Sequence, residues 1–191
     1  MAANSLPDEV QTDEAIVDQI QQGQNELFGK LLDRYQPKIT RYAGRFLSDA
    51  DDRNDIVQET FIKAYRNIES FDTKRKFSSW LYRIAHNECI NFLKKKKLEK
   101  IPFFDLDVLF PHISREKHQE EVNTEQIKEM VDTSMGKLDV KYREPLLLYY
   151  IEGFDYKEIS DILRIPVDTV GMRLTRGRKL LKKHYQDSLT D

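Results

Sequence analysis

Apolar side chains recur along most of this chain at steps of three and four, the spacing that lays one buried stripe along a helix. Phe28, Leu31, Leu32, Tyr35, Ile39, Tyr42 and Phe46 form one series, and Ile56, Val57, Thr60, Phe61, Ala64, Tyr65 and Ile68 a second. A third runs through Phe77, Trp80, Leu81, Ile84 and Ala85. A shorter helix is predicted over residues 13–22, opened by Thr12 or Asp13 and stopped by Gly23. No stretch alternates with period two for long enough to argue a strand. These segments predict one helical bundle that ends in the lysine run 94–97.

The pattern breaks over residues 98–124. Pro102 and Pro111 bracket the segment FFDLDVLF, and the following SREKHQEEVNTE is polar with no apolar stripe. This reads as a linker between a first domain, 12–97, and a second, 125–187, with a flexible acidic stretch at 1–11. The apolar centre of the linker predicts either docking on another surface or a short satellite helix. From Glu125 the helical pattern returns with Ile127, Met130 and Val131, then Tyr142, Leu146, Leu147 and Tyr150, up to Gly153. Pro145 lies inside that run and predicts a late start or a kink. Asp155 and Glu158 have the spacing of a capping box, opening a helix through Ile159, Ile162 and Leu163. Arg164-Ile165-Pro166 makes a turn, and a last helix carries Val167, Val170, Leu174, Gly177 and Leu181 on one face. The expected fold is all-α: two small helical domains joined by a flexible linker, the second a helix-turn-helix domain.

Composition narrows the chemistry. The 191 residues include 39% hydrophobic and 34% charged positions, enough apolar surface for modest cores. The single cysteine, Cys89, excludes a disulfide framework, and His86, His112, His118 and His184 lack ligand spacing. Asp51-Asp52-Arg53-Asn54-Asp55 spells a DDxxD motif of the kind that chelates magnesium, but no second acidic motif follows; acids favoured in a first helical turn explain it as well. With no Gly-rich phosphate loop and no nucleophile–base pair, no catalytic residue, metal or cofactor is expected. No apolar run approaches the ~20 residues of a membrane span, and the start MAANSLPDEVQTDEA has neither a basic end nor an apolar stretch. A cytoplasmic protein is expected.

The net charge of −2 conceals a division. Residues 1–27 hold six acids and no Lys or Arg; residues 28–97 hold sixteen basic and nine acidic residues. Residues 98–124 hold three basic against six acidic, and 125–191 balance twelve against twelve. Within the last part, residues 164–183 carry seven basic residues against Asp168 alone. Two basic surfaces with an acidic connector suggest two contacts with a polyanion. One is the helix-turn-helix at 156–181, whose second helix presents Asp168, Gly171, Met172, Thr175, Arg176 and Lys179, flanked by Arg173, Arg178, Lys182 and Lys183. A helix fits the major groove, where Arg pairs with guanine and neighbouring cations hold phosphates. The other is the stretch DTKRKFSSWLYRIAHNECINFLKKKK at 72–97, where Lys74, Arg75 and Lys76 precede aromatic residues, and Arg83, Asn87 and Asn91 recur every four residues. Cations, an aromatic and amides suit an opened single strand. Taken alone, Phe77, Trp80 and Leu81 read as core.

The succession DIVQETFIKAYRNIESFD, KFSSWLYRIAHNECINFL and EGFDYKEISDILRIPVDTVGMRLTRGRKLLKK resembles a bacterial extracytoplasmic-function (ECF) sigma factor of the sigma-70 family. The resemblance covers roughly 12–97 and 125–185. It implies a non-catalytic subunit that directs RNA polymerase to promoters. The first domain would grip the clamp coiled coil of the largest polymerase subunit through Asp55, Gln58, Glu59, Phe61, Arg66 and Asn67. It would also capture a flipped base of the −10 element with Lys74, Arg75, Lys76, Ser78, Trp80, Arg83, Asn87 and Asn91. The second domain would meet the flap of the second-largest subunit and read the −35 element with Asp168, Gly171, Met172, Arg173, Thr175, Arg176, Arg178 and Lys179. Family habit adds an anti-sigma factor as a partner.

Two departures bear on that reading. Members of the family usually carry Gly in the turn where this chain has Arg164, and often a polar or basic residue at the positions of Gly171 and Met172. Gly171 either admits a close backbone approach to DNA or is simply tolerated in the helix. Gly177 is expected at a small-residue packing contact. The alternative reading is a stand-alone helix-turn-helix regulator whose first domain dimerises or senses a signal. That leaves the acidic face of residues 55–59 and the basic, aromatic stretch without a role.

Overall fold

A computed structural model describes residues 11–96, 135 and 137–188. Every regular element among them is helical: α1 (Asp13–Gln21), α2 (Phe28–Ala43), α3 (Ala50–Asn67), α4 (Phe77–Lys95), α5 (Val140–Tyr150), α6 (Tyr156–Leu163) and α7 (Val167–Ser188), with single 3₁₀ turns at Asn25–Leu27 and Ile68–Ser70. The expectations for the stretch 1–10, the linker, and Ile127, Met130 and Val131 fall outside the described residues.

Four of the helix starts follow from short polar side chains. Thr12 accepts from the backbone N–H of Ala15 at 3.2 Å, Asp49 from Asp51 and Asp52 at 3.0 Å each, and Asp139 from Lys141 at 3.0 Å. Asp155 and Glu158 form the capping box in full, with reciprocal bonds of 2.8 and 2.9 Å. Each satisfies N–H groups that the helix leaves without a partner. Asp51 and Asp52 occupy the first turn of α3, and Asp52 pairs with Lys96 at 2.7 Å, so the DDxxD run works here as a helix start. Pro145 does fall within α5, six residues into the helix from Val140; the helix starts at the Asp139 cap. Val167 departs from its expected place on the apolar face of α7: it is the first residue of the helix and is 43% exposed.

The first four helices bury the predicted stripes. Ile16, Val17 and Ile20 of α1, Leu31 and Ile39 of α2, Ala64 of α3, and Phe77, Leu81 and Ala85 of α4 are fully inaccessible. Tyr42 packs edge-on against Phe46 and Tyr82 at 5.1 and 5.2 Å. In the second unit, α5 and α7 cross at Gly177, where a β-carbon would stand 3.0 Å from Leu146 Cδ1 and 3.2 Å from the Tyr142 carbonyl oxygen. The small-residue contact read from the sequence is therefore a backbone-to-backbone approach.

The two units are packed together, and one continuous apolar cluster runs through both. Helix α6 lies along α4. Phe154, just before α6, sits edge-on to Tyr82 of α4 at 4.8 Å and is buried. The side chain of Glu152, 2% exposed, enters the first unit beside Arg41 (3.2 Å) and Arg45 (3.0 Å) and accepts a 2.5 Å hydrogen bond from the Tyr82 hydroxyl. Nearby, Glu144 of α5 is buried with its Oε1 3.8 Å from His86 Nδ1 of α4, and Tyr42 Oη lies 3.2 Å from the same nitrogen. Burial holds His86 neutral by lowering its pKa to about 4, and raises the Glu144 carboxyl to about 7 against the opposing effect of Arg143 and Arg173.

Three stability outcomes follow. Glu144 keeps in the folded chain a proton that the unfolded chain loses above its ordinary carboxylate pKa of 4.5, so its contribution falls as pH rises from there to about 7. Glu144→Gln removes that loss, so its gain over the wild type in thermal melts grows across the same window, by up to about 3 kcal/mol. Arg164 occupies the left-handed region (φ 56°, ψ 44°), where a β-carbon is strained. Arg164→Gly is expected to stabilise the chain by about 1 kcal/mol in urea unfolding. Gly177→Val is expected to destabilise it by about 1–3 kcal/mol by forcing α5 and α7 apart.

Candidate nucleic-acid interface

The helix-turn-helix is built as its sequence dictates. The capping box opens α6, Ile159 and Ile162 are buried beneath it, and the Ser160 hydroxyl donates to the Ile165 carbonyl at 2.6 Å, closing the turn. Val170 and Leu174 anchor α7, being 0% and 1% exposed. That orientation turns Asp168, Met172, Thr175, Arg176 and Lys179 to solvent on one face, with Arg178 beside them. Arg178 donates to the Tyr150 hydroxyl at 3.4 Å, which steadies it at the rim. Two candidate residues sit elsewhere. Arg173 is half-buried on the side of Asp139 and Glu144, and Gly171 is partly covered by Tyr156, whose ring a β-carbon there would touch at 3.5 Å. Gly171 therefore lies at the edge of the exposed face, and an ordinary contact is all that an alanine would meet.

The second candidate surface lies at the start of α4. Phe77 caps a buried aromatic group, with Phe71 at 5.8 Å and Tyr35 at 5.6 Å. Trp80 stacks outside it, 5.0 Å from Phe71 and 5.7 Å from Phe77, and is half-buried; the core reading held for Phe77 and Leu81 only. Lys74, Arg75, Lys76, Trp80 and Arg83 line a cleft of about 480 Å³. Its opposite wall is α6, through Asp155, Lys157, Glu158 and Asp161, and Arg75 meets Asp161 at 2.7 Å. Arg83 is half-buried, and both burial and the neighbouring Arg164 and Arg75 work against its charge. Asn87 and Asn91 are exposed further along α4 and do not line the cleft, nor does half-buried Ser78.

A third surface is an apolar groove of about 590 Å³ between α2 and α3. Phe28 meets Phe61 at 6.5 Å and Tyr65 at 5.0 Å on its floor, and Asp55, Gln58 and Arg66 stand among its lining residues. Phe61 is 6% exposed, so it shapes the groove from below. Glu59 is turned toward Lys63, which also holds Glu88 of α4 at 2.7 Å, and Asn67 bonds the Lys63 carbonyl. Neither Glu59 nor Asn67 lines the groove. Sequence reasoning missed the contribution of α2, namely Phe28, Leu32 and Gln36, and 45%-exposed Tyr65. Tyr65 was read as part of an ordinary buried stripe.

An all-helical chain with an exposed basic recognition helix and a second cationic, aromatic cleft belongs to the class of DNA-binding proteins that carry a helix-turn-helix. Comparison with known proteins is more specific. Residues 31–99 match Sigma-70 region 2, and residues 128–181 match Sigma-70, region 4. The chain is 36% identical over 180 residues to the ECF RNA polymerase sigma factor SigW of Bacillus subtilis (strain 168), covering 90% of this chain and 95% of that protein. It is 32% identical to the ECF RNA polymerase sigma-E factor of Haemophilus influenzae, covering 92% and 96%. Among solved structures, CnrH in complex with the cytosolic domain of CnrY matches with a TM-score of 0.62 at 25% identity, covering 90% of this chain and 95% of that one. The sigma factor RpoE from Bartonella quintana, solved with the anti-sigma factor NepR, shares the fold with a TM-score of 0.60 at 21% identity. The chain belongs to the ECF sigma factor family. The match of its first half to region 2 removes the need for a dimerising or sensing domain there.

The exposed face of α7 yields a graded expectation in filter binding of promoter DNA by the polymerase-bound protein. Arg176→Ala costs about 1–3 kcal/mol and changes sequence preference, the mark of a base contact. Lys183→Ala weakens all sequences alike and lowers the salt slope by about one. A uniform loss from Arg176→Ala would make it a phosphate contact.

Proposed function

We propose that this chain is the promoter-specificity subunit of a bacterial RNA polymerase, active in the cytoplasm and without catalysis of its own. The observation that carries the reading is the succession of a region 2 and a region 4 match along a chain covered nearly end to end by ECF relatives. The groove of α2 and α3 takes the clamp coiled coil of the largest polymerase subunit, with Asp55 and Gln58 at its rim and Phe61 beneath. A groove with an apolar floor and a polar rim suits a helical partner. The cleft at Lys74, Arg75, Lys76, Trp80 and Arg83 takes the −10 strand, cations holding phosphates and the indole stacking a base. Asn87 and Asn91, exposed on the same helix, extend that contact outside the cleft. Helix α7 reads the −35 element from the major groove, with Asp168, Met172, Thr175, Arg176 and Lys179 central and Gly171, Arg173 and Arg178 at the margin. The second unit also meets the polymerase flap. The sigma factor RpoE from Bartonella quintana was solved with the anti-sigma factor NepR, and an anti-sigma partner is proposed for this chain.

The experiment is co-elution of the purified chain with bacterial RNA polymerase core, followed by abortive transcription from the region upstream of its own gene. Binding with specific initiation is expected. Failure of a folded sample to bind core from its own host would overturn the reading. Asp55→Lys is expected to weaken core binding by tenfold or more while the circular dichroism stays unchanged. Trp80→Ala is expected to spare core binding and impair promoter opening, read with 2-aminopurine in the −10 element.

A further inference from the structure

The loop that carries Lys74, Arg75 and Lys76 joins the 3₁₀ turn at Ile68–Ser70 to α4, and α1 reaches both of its ends. At the far end, Lys76 holds the N-cap position of α4 and its side chain makes no capping bond. Lysine has no acceptor to offer, so the first N–H groups of a 19-residue helix need one from elsewhere. Glu14 of α1 supplies it: the Phe77 N–H donates to Glu14 Oε1 at 2.9 Å, across 63 residues of chain. At the near end, the side-chain amide of Gln21 donates from Nε2 to two carbonyls, that of Ile68 at 2.7 Å and that of Phe71 at 2.9 Å. Both N–H groups of one amide are thereby committed to the turn that leads into the loop.

The helix that does this is firmly seated. Ile16, Val17 and Ile20 are fully inaccessible, and Asp13 pairs with Arg34 at 2.7 Å and accepts from the Tyr35 hydroxyl. Glu14 and Gln21 stand seven residues apart, two turns along one face, which sets their attachment points about 10 Å apart along the axis. Between those points the loop closes on itself: the Lys74 N–H donates to Asp72 Oδ1 at 3.0 Å and the Arg75 N–H to the Asp72 carbonyl at 2.9 Å, leaving all three cations exposed. Phe71 rests against Phe77 at 5.8 Å and Trp80 at 5.0 Å, so a shift at the near end is passed to the indole. Asp, Ser or Thr would cap α4 better than Lys76 does, and a cation is what a nucleic-acid strand requires at that position. Capping from α1 allows both.

We infer that α1 is the brace of the −10 loop: Glu14 and Gln21 are positioning residues that hold its two ends, so that Lys74, Arg75, Lys76 and Trp80 stand in place before an opened strand arrives. Neither residue lines the cleft or the groove of α2 and α3. Strand capture therefore depends on them and polymerase binding does not. A loop fixed beforehand loses less freedom when the strand binds, which is how a residue that never touches DNA contributes to opening. This inference rests on the reading of the cleft as the −10 site.

The test uses the full chain assembled with core polymerase. Core affinity is read by competition with labelled wild type, and opening by 2-aminopurine in the −10 element with the subunit in saturating excess over core. Glu14→Ala leaves the Phe77 N–H without its acceptor and is expected to slow opening about tenfold at unchanged core affinity. Glu14→Gln keeps an acceptor oxygen and is expected to restore opening to about the wild-type rate. Gln21→Glu turns a double donor into an acceptor facing two carbonyls, and is expected to slow opening at least as much as Gln21→Ala. Asp18, exposed on the same helix and bonded to Gln22, serves as the control, and Asp18→Ala is expected to open like wild type. Unchanged opening in both Glu14→Ala and Gln21→Glu would overturn the inference. So would a loss of core affinity equal to the loss of opening, or an equal loss from Asp18→Ala. Two references keep the readings apart. A wild type that binds core and does not initiate refutes the sigma reading, and Trp80→Ala opening at the wild-type rate refutes the cleft as the −10 site. Initiation by wild type and impairment by Trp80→Ala, with no effect from the Glu14 and Gln21 variants, refutes the brace alone.

Discussion

The way the two halves meet turns on one buried carboxylate, set beside the apolar cluster that they share. Glu152 leaves the end of α5, crosses into the first unit and meets two arginines and a tyrosine hydroxyl. Removing one partner of such a buried group typically costs about 3–5 kcal/mol, because the remaining charge is stranded, whereas the intact arrangement is worth far less. The asymmetry fixes geometry more than it adds stability. With Glu152 seated, Phe154 must lie on Tyr82, α6 must follow α4, and the recognition helix α7 is carried to the outside. A different seating would leave Arg45 buried with no carboxylate at all.

Much of the fold was legible because the helices carry apolar stripes, and some of them also a recognisable cap. Thr12 and the Asp155–Glu158 box open helices where the sequence reading put them, and Gly23 closes α1 where a left-handed residue should, whereas the Asp49 and Asp139 caps were not read. Gly177 was legible as a packing position because it falls in register with Val170 and Leu174. Val167 was misplaced for the opposite reason. Periodicity continues to the first turn of a helix even where nothing remains to pack against it. The start of the second unit's pattern at Glu125 has no counterpart to compare, since that stretch lies outside the described residues.

The sites divided along similar lines. The outward face of α7 came through nearly whole, since burying Val170 and Leu174 on one side of a regular helix decides what faces out on the other. Glu59 and Asn67 were drawn in by their place beside Asp55 and Gln58, but each is engaged with Lys63 on the flank of α3. The sequence order of a motif does not reveal which of its members turn toward a groove formed with another helix. The interface between the units was not legible at all. Arg45 and Tyr82 lie about 110 and 70 residues from Glu152, and Arg45 looks in sequence like any solvated cation. Nothing in a single sequence marks a charged residue as buried when its partner arrives from a distant element.

The covered cleft bears on how such a subunit searches. A chromosome offers on the order of 10⁶–10⁹ non-specific positions, and any exposed cationic, aromatic surface would be spread thinly across them and across transcripts. In the described chain the carboxylates of α6 line the wall of that cationic cleft and oppose single strands and messages there. The population remains available to the scarcer partner, the polymerase, and molecules reach open DNA already assembled. Selectivity for the enzyme over the bulk of cellular nucleic acid would then arise from what one short acidic helix hides.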